Sequence, residues 1–281
     1  MKYGIAGLGN LGTTLAVNLF ENGFNLSSIY SRKDESVKQL NELIKTGFTN
    51  NLRILLSESD IVFLTVNDSS IKTVSKEITE KYGDIDLKGK LFIHMSGIKT
   101  SDEMLDLKKA GALVCSLHPI QTFPCKSTDT NVFNGISCGF EGDKKALSIL
   151  SDFISYFNIK ILNISKDKKV LYHAAAVVFC NFMSCISYMG EELAKDAGID
   201  KDLVYKAFKP LMEKTLENIA EKGAVSSLSG PAARKDTMTI QKHIEEIKKS
   251  KPGFQDVYNA LTDIAREMTS KKDKMDGESY E

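Results

Sequence analysis

The stretch KYGIAGLGNLGTTLAVNLFENG, residues 2 to 23, constrains the fold of this chain more than any other. A short apolar run, Tyr3 to Ala6, leads directly into Gly7-Leu8-Gly9-Asn10-Leu11-Gly12. Leu11, Leu15, Leu19 and Phe20 then follow at helical spacing until Asn22-Gly23 stops the helix. Strand, glycine turn and helix in that order form the context in which G-x-G-x-x-G binds a dinucleotide. Gly7 makes the tight turn, Gly9 lets the backbone approach a pyrophosphate, and Gly12 lets helix and strand pack closely. The free N–H groups at the helix start, around Asn10 and Leu11, receive the phosphates. The plain alternative is a glycine-rich turn in an α/β domain that binds nothing.

The second strand, LSSIYSRK, tests the cofactor. About 20 residues past the glycines an NAD site places an acidic residue on the ribose. Here the chain carries Ser31, Arg32 and Lys33. A hydroxyl and a guanidinium suit a 2′-phosphate, which Arg grips through two parallel hydrogen bonds, so NADP(H) is expected. The other possibility is a solvated turn with Asp34 or Glu35 taking the ribose.

Apolar runs at 60–66, 90–96 and 112–118 alternate with helical segments at 70–82 and 102–110. That order implies a parallel, doubly wound sheet. Ligands bind at the carboxyl ends of such strands, where Asn67, Ser96 and His118 fall. Duller roles are open to each end: Asp68 as a helix cap, Ser96-Gly97 as a turn, His118 in a Pro-containing loop. SLHPIQTFPCKSTDTNVFNG then runs without periodicity, and loops of that length are functional or disordered. GISCGFEG, a helix at 144–156 and NIKILNI extend the sheet. The expected fold class is an α/β Rossmann domain over 1–164 followed by an all-α domain over 165–281.

In that second half the helical segments are 167–197, 200–222, 237–249 and 254–270, and the terminal KKDKMDGESYE reads as frayed. On a wheel at about 100° per residue, Lys169, His173, Cys180, Ser184 and Ser187 form one narrow polar stripe, with Asn181 at its edge. Leu171, Ala175, Val178, Phe182, Ile186 and Met189 occupy the opposite side of a helix that reads as built for burial. An unpartnered buried polar group costs about 1–3 kcal/mol. The stripe therefore needs internal partners, a subunit seam or a wet cleft. A second signal, SSLSGPAARKDTMTIQKH, brings Arg234 and Lys235 to a turn and sets Thr239 and His243 on one helix face.

Lys plus Arg equals Asp plus Glu, 37 against 37, so no global charge points to nucleic acid or an anionic membrane. Five cysteines without C-x-x-C read as reduced thiols, and four scattered histidines give no metal site. The polar residues of Leu171–Gly190 favour a core helix over a membrane span, and no signal peptide is visible. A cytoplasmic protein is expected.

GLGNLG, SRK, HMSG, SLHPIQTF, KVLYHAAAVVFCNF and SGPAARKD together carry a resemblance spread over nearly the whole chain. It resembles bacterial proteins that join a Rossmann-like domain to the domain of unknown function 2520, within the 6-phosphogluconate dehydrogenase-like superfamily. The resemblance implies NADP(H), a helical substrate-and-dimer domain, a homodimer, and reductase chemistry on a small oxo compound. One branch is an alternative ketopantoate reductase of pantothenate synthesis. Relatives such as β-hydroxyacid dehydrogenases place a lysine, then an asparagine one turn later, on the central helix. Here Lys169 precedes His173 and Asn181 lies two turns beyond it.

The expected chemistry is hydride transfer to the carbonyl carbon of a 2-oxo acid. Protonation falls to His173, since imidazole titrates near neutrality, or to a desolvated Lys169. Asn181 orients the carbonyl, Ser96 and Arg234 hold a carboxylate, and His118 and His243 are further substrate contacts. Reduction of a C=N bond, as in pyrroline-carboxylate reductases, is one alternative. A non-catalytic NADP(H) sensor is another.

Overall fold

β1 (Tyr3–Ala6) is buried along its whole length, as a central strand covered on both faces must be. The computed structural model describes residues 1–278. Around β1 it assembles β2 (Leu26–Tyr30), β3 (Ile61–Leu64), β4 (Leu91–His94), β5 (Leu113–Pro119), β6 (Ser137–Gly142) and β7 (Lys160–Asn163). The single sheet has the order β2-β1-β3-β4-β5-β6-β7. Pairing is parallel through β5; β6 then runs antiparallel to β5, with β7 parallel to β6. The parallel expectation stops at β5 for a physical reason. A parallel partner needs a crossover, usually a helix, and the connection after β5 contains none. The turn-back sets His118 opposite Gly139 in the ladder.

Helices α1 (Asn10–Glu21), α2 (Asp34–Ile44), α3 (Leu52–Glu58), α4 (Ile71–Lys81), α5 (Leu105–Lys109), α6 (Lys145–Ile149) and α7 (Ser151–Tyr156) belong with this sheet. Successive strand residues point to opposite faces, and the core divides accordingly. Ile5, Phe63, Ile93 and Cys115 join one apolar cluster; Ala6, Val62, Leu64, Phe92 and Val114 join the other. The long loop after β5 is held against α1 by a ladder at i, i+4 spacing. Asn10, Asn18 and Asn22 donate to the carbonyls of Phe123, Asp129 and Thr130, while Thr14 accepts from the Ser127 amide.

The central helix expected to run unbroken from 167 to 197 is two helices. α8 (Lys169–Phe179) ends at Cys180, whose φ −116° and ψ −70° are distorted from ideal helical values, and α9 (Asn181–Asp196) follows. The chain divides there into two compact units, 1–180 and 181–281. The boundary lies beyond the expected 164/165 because α8 packs its polar residues onto the carboxyl ends of the sheet. The second unit is wholly helical: α9, α10 (Lys201–Ser227), α11 (Thr237–Ser250) and α12 (Gln255–Glu278). α10 is broken at Gly223, with φ +78°. The terminal run expected to fray continues α12 to Glu278; its last residues, 279–281, lie outside the described part.

The expectation of burial for α8 and α9 also fails. Leu171, Val178, Phe179, Phe182 and Ile186 are exposed, Phe179 at 73%. The run Lys166–Asp196 is long and apolar enough to cross a membrane by length and composition alone.

Candidate active site

At the end of β1 the backbone is shaped by what it touches. Gly7 has φ +111°, and a Cβ there would lie 2.8 Å from the carbonyl of Thr65; a Cβ on Gly12 would lie 2.0 Å from the Gly7 oxygen. Only glycine fits at either place. A Cβ on Gly9 would meet nothing within 4 Å, so the turn is open above it. α1 begins without a side-chain cap and has no acidic residue in its first turn. Its free N–H groups fit a pyrophosphate. Leu11 is half-buried, and the Asn10 amide is committed to the Phe123 carbonyl, 3.1 Å away. Asn10 can therefore serve an anion through its backbone.

At the end of β2, Ser31 is buried while Arg32 and Lys33 are exposed. Asn50, which sequence reasoning missed, clamps this turn. It accepts from the Ser31 amide at 3.0 Å, donates to the Ser31 carbonyl at 2.8 Å, and bonds the Asp34 carboxylate. The exposed Arg32 and Lys33 beside this turn fit a 2′-phosphate. Asn67 is exposed at the end of β3, its carbonyl accepting from the Ser70 amide.

The remaining site residues of the first unit converge at the ends of β4 and β5. Ser96 is nearly buried and already fully engaged. Its hydroxyl donates to Asp68 at 2.7 Å and accepts from the Lys99 amide, while its carbonyl accepts from Ser116 and Lys169. Lys169 is 1% exposed. Its ammonium donates to Ser116 Oγ at 2.6 Å and to the Ser96 carbonyl at 3.2 Å. Burial lowers its pKa to about 8, with Glu141 and Asp68 opposing the fall. His94, buried beneath, is lowered to about 4 for the same reason. Its Nδ1 accepts from the Ser96 amide at 3.3 Å, so Nε2 donates to the Thr100 carbonyl at 3.0 Å.

Above Gly97 two histidines meet. A Cβ on Gly97 would lie 2.5 Å from His173 Nδ1 and 3.0 Å from His118 Nε2. The two rings stand edge to face with centroids 5.7 Å apart. His173 Nδ1 is buried with no hydrogen-bond partner. His118 Nδ1 lies 2.8 Å from the Tyr172 hydroxyl. Burial, followed by the neighbouring His173 and Lys169, lowers His118 to about 4, while burial raises Tyr172 to about 12. Both are neutral at pH 7.

Within the first unit the structure thus brings Ser96, His118, Lys169 and His173 together, and adds Gly97, Ser116 and Tyr172. No pattern in the sequence marks Ser116; Tyr172 stands beside His173 and was legible only as an apolar neighbour. Asn181, exposed at the start of α9, belongs to the second unit. Its place on the stripe assumed one continuous helix, and a helical wheel keeps its phase only while the helix does. Arg234 and His243 also belong there. Arg234 is exposed in the turn before α11, and His243 Nδ1 lies 2.7 Å from the Tyr258 hydroxyl. Asp236, which caps α11 through Thr239, sits near both, and its carboxyl lies below the usual range chiefly through the Thr239 bonds. Among the described residues no cluster of metal-ligating side chains occurs.

Residues 2–96 match the family model described as NADP oxidoreductase, coenzyme F420-dependent. Residues 136–264 match the domain of unknown function 2520, a match that starts just before β6 and so includes residues of both compact units. No curated protein matches the chain. Solved structures similar to it include a candidate NADP oxidoreductase from Bacteroides fragilis, with 24% identity, 95% and 98% of the two chains covered and a TM-score of 0.75. An imine reductase from Pseudomonas sp. has 18% identity, coverage of 98% and 99%, and a TM-score of 0.68. A pyrroline carboxylate reductase from Plasmodium falciparum with NADP bound has 15% identity, coverage of 96% and 98%, and a TM-score of 0.62. At these identities the likeness is one of fold. The fold, the open glycine turn and the match over residues 2–96 define the class: an NADP-dependent oxidoreductase.

Proposed function

We propose that this chain reduces the C=N bond of a small imine at the expense of NADPH. Gly7, Gly9, Gly12 and the start of α1 would hold the pyrophosphate, with Ser31, Arg32 and Lys33 at the 2′-phosphate. When bound, NADPH supplies a hydride. One observation carries the choice of substrate: His173 Nδ1, a buried nitrogen without a partner, stands beside a neutral His118 over Gly97. An iminium ion arrives already protonated, so it needs an acceptor for its N–H and no acid. With its hydrogen on Nε2, His173 would offer Nδ1 as that acceptor, and the electron pair from the reduced bond would stay on the product nitrogen. Likeness in fold to imine and pyrroline carboxylate reductases supports this reading.

Reduction of a 2-oxo acid, ketopantoate first among them, is the second reading. It would use that nitrogen in the opposite sense, as the donor of a proton to the developing alkoxide. Lys169 is the weaker donor, because its bonds already go to Ser96 and Ser116. NADPH oxidation against a panel of cyclic imines and 2-oxo acids decides between them. Turnover of imines with silence on ketopantoate upholds the first reading, and the reverse result installs the second. Tight NADPH binding with no turnover at all leaves the NADP(H) sensor.

The exposed apolar residues of α8, Leu171, Val178 and Phe179, support association of two copies as a homodimer. A bilayer could not take α8 without also taking Lys169 and His173 on the same helix, whereas a second copy can cover one side and leave the other at the sheet. Closed two-fold pairs are the commonest oligomers.

A further inference from the structure

We infer that Tyr172 is a positioning residue: its hydroxyl locks His118 as the Nε2–H tautomer and so aims a neutral hydrogen-bond donor at the reacting atom above Gly97. The inference rests on the reductase reading of this site and deepens it.

The antiparallel turn after β5 places His118 directly opposite Gly139. α8 lowers Tyr172 onto that glycine, where a Cβ would lie 2.4 Å from the phenol oxygen and 2.6 Å from Cζ. The absent side chain is what admits the phenol. A phenol O–H is a better donor than acceptor toward an imidazole nitrogen, so the phenol gives its own proton here. The acceptor is His118 Nδ1, 2.8 Å away, with the two rings edge to face. A neutral imidazole that accepts at Nδ1 must carry its hydrogen on Nε2. Nε2 is the His118 nitrogen that lies against Gly97, 3.0 Å from where a Cβ would be, beside the unpartnered His173 Nδ1.

His118 Nε2 is a fixed donor, His173 Nδ1 has no partner, and both border Gly97 at the carboxyl end of β4. A substrate nitrogen or oxygen brought against the two rings would find both. Gly97, having no side chain, lets the rings close on its backbone, just as Gly139 admits the phenol. Neither arrangement involves Lys169, so the tautomer lock is separable from the bonds beneath the strands.

The test is Tyr172→Phe, read first without any reaction. With only four histidines in the chain, long-range proton–nitrogen spectra of histidine-labelled protein report the tautomer of His118, assigned through His118→Gln. The wild type is expected as Nε2–H, and Y172F as a mixture or as Nδ1–H. On a turned-over substrate, kcat of Y172F is expected to fall about tenfold, as loss of one neutral hydrogen bond implies, with the NADPH Kd unchanged. The acid limb of kcat/KM is expected to move to higher pH, because the phenol's donated hydrogen bond favours the neutral ring. Gly139→Ala, which displaces the phenol without removing it, is expected to change the tautomer in the same way and guards against a Y172F protein that fails to fold. An unchanged His118 tautomer in both variants overturns the proposal even if the enzyme is active. A changed tautomer in a protein that reduces nothing upholds it and overturns the reductase reading instead.

Discussion

Replacement of Lys169 by methionine separates the energetics of this site from its chemistry. The side chain is 1% exposed and its pKa is lowered from 10.5 to about 8 by burial. That gap is worth about 3 kcal/mol between the two protonation states. Below about pH 8 the folded and unfolded chains both hold the proton, and the full penalty of burying the charge is present. Between about 8 and 10.5 the unfolded chain keeps the proton that the folded chain has released, so stability rises with pH by about 3 kcal/mol across that window. Lys169→Met removes this dependence. It also leaves the Ser96 carbonyl and Ser116 hydroxyl each short of one bond, at about 1–3 kcal/mol and at every pH. Near pH 7 the two effects roughly cancel, and near pH 10 only the cost remains. Urea unfolding followed by circular dichroism at both pH values measures the difference between wild type and variant, in which the other titrating groups drop out. Equal differences at the two pH values would refute the claim that the folded protein pays to bury this ammonium.

Three further outcomes follow from the same geometry. Arg32→Ala is expected to raise the NADPH Kd about tenfold while leaving that of NADH unchanged, since a charge-assisted pair acts on the 2′-phosphate alone; fluorescence titration of both nucleotides checks it. Gly97→Ala puts a methyl 2.5 Å from His173 Nδ1, and a displacement of about 1 Å costs about a hundredfold in kcat, with NADPH affinity retained. Phe179→Glu charges the most exposed large apolar side chain of α8, and light scattering should show a wild-type dimer reduced to monomers; an unchanged mass would remove α8 from the interface.

The glycine turn and six of its neighbouring strands were legible because their signals are local: an apolar run, a turn residue, a change of period. The clamp at Asn50 was not, since nineteen residues separate it from Ser31 and nothing in the loop announces a pairing. The break at Cys180 carries neither glycine nor proline, so the stripe from Lys169 to Ser187 looked continuous, whereas Asn181 opens a new helix in the second unit. Apolar composition alone could not distinguish a face buried within the chain from the exposed one that Leu171, Val178 and Phe179 present. The histidine cluster was half legible. His118 and His173 stood out as polar residues in apolar surroundings, but their meeting over Gly97 depends on the register of β5 with β6 and on the packing of α8.

The role of Lys169 can be settled by counting hydrogens. An ammonium has three and a neutral amine two, and the structure uses two, one on Ser96 and one on Ser116. Loss of the proton at about pH 8 therefore leaves both bonds in place, with the Ser96-Gly97 turn and the histidines above it undisturbed. If Lys169 acts as a tether, kcat passes through pH 8 without a limb that belongs to it. If it is the acid that protonates the product, kcat falls about tenfold per pH unit above that point, and the fall vanishes along with most of the activity in Lys169→Met. A pH–rate profile of the wild type from about 6 to 10, set beside that of the variant, distinguishes the two. A limb near 8 in the wild type that Lys169→Met abolishes would return the proton to Lys169 and take it from His173.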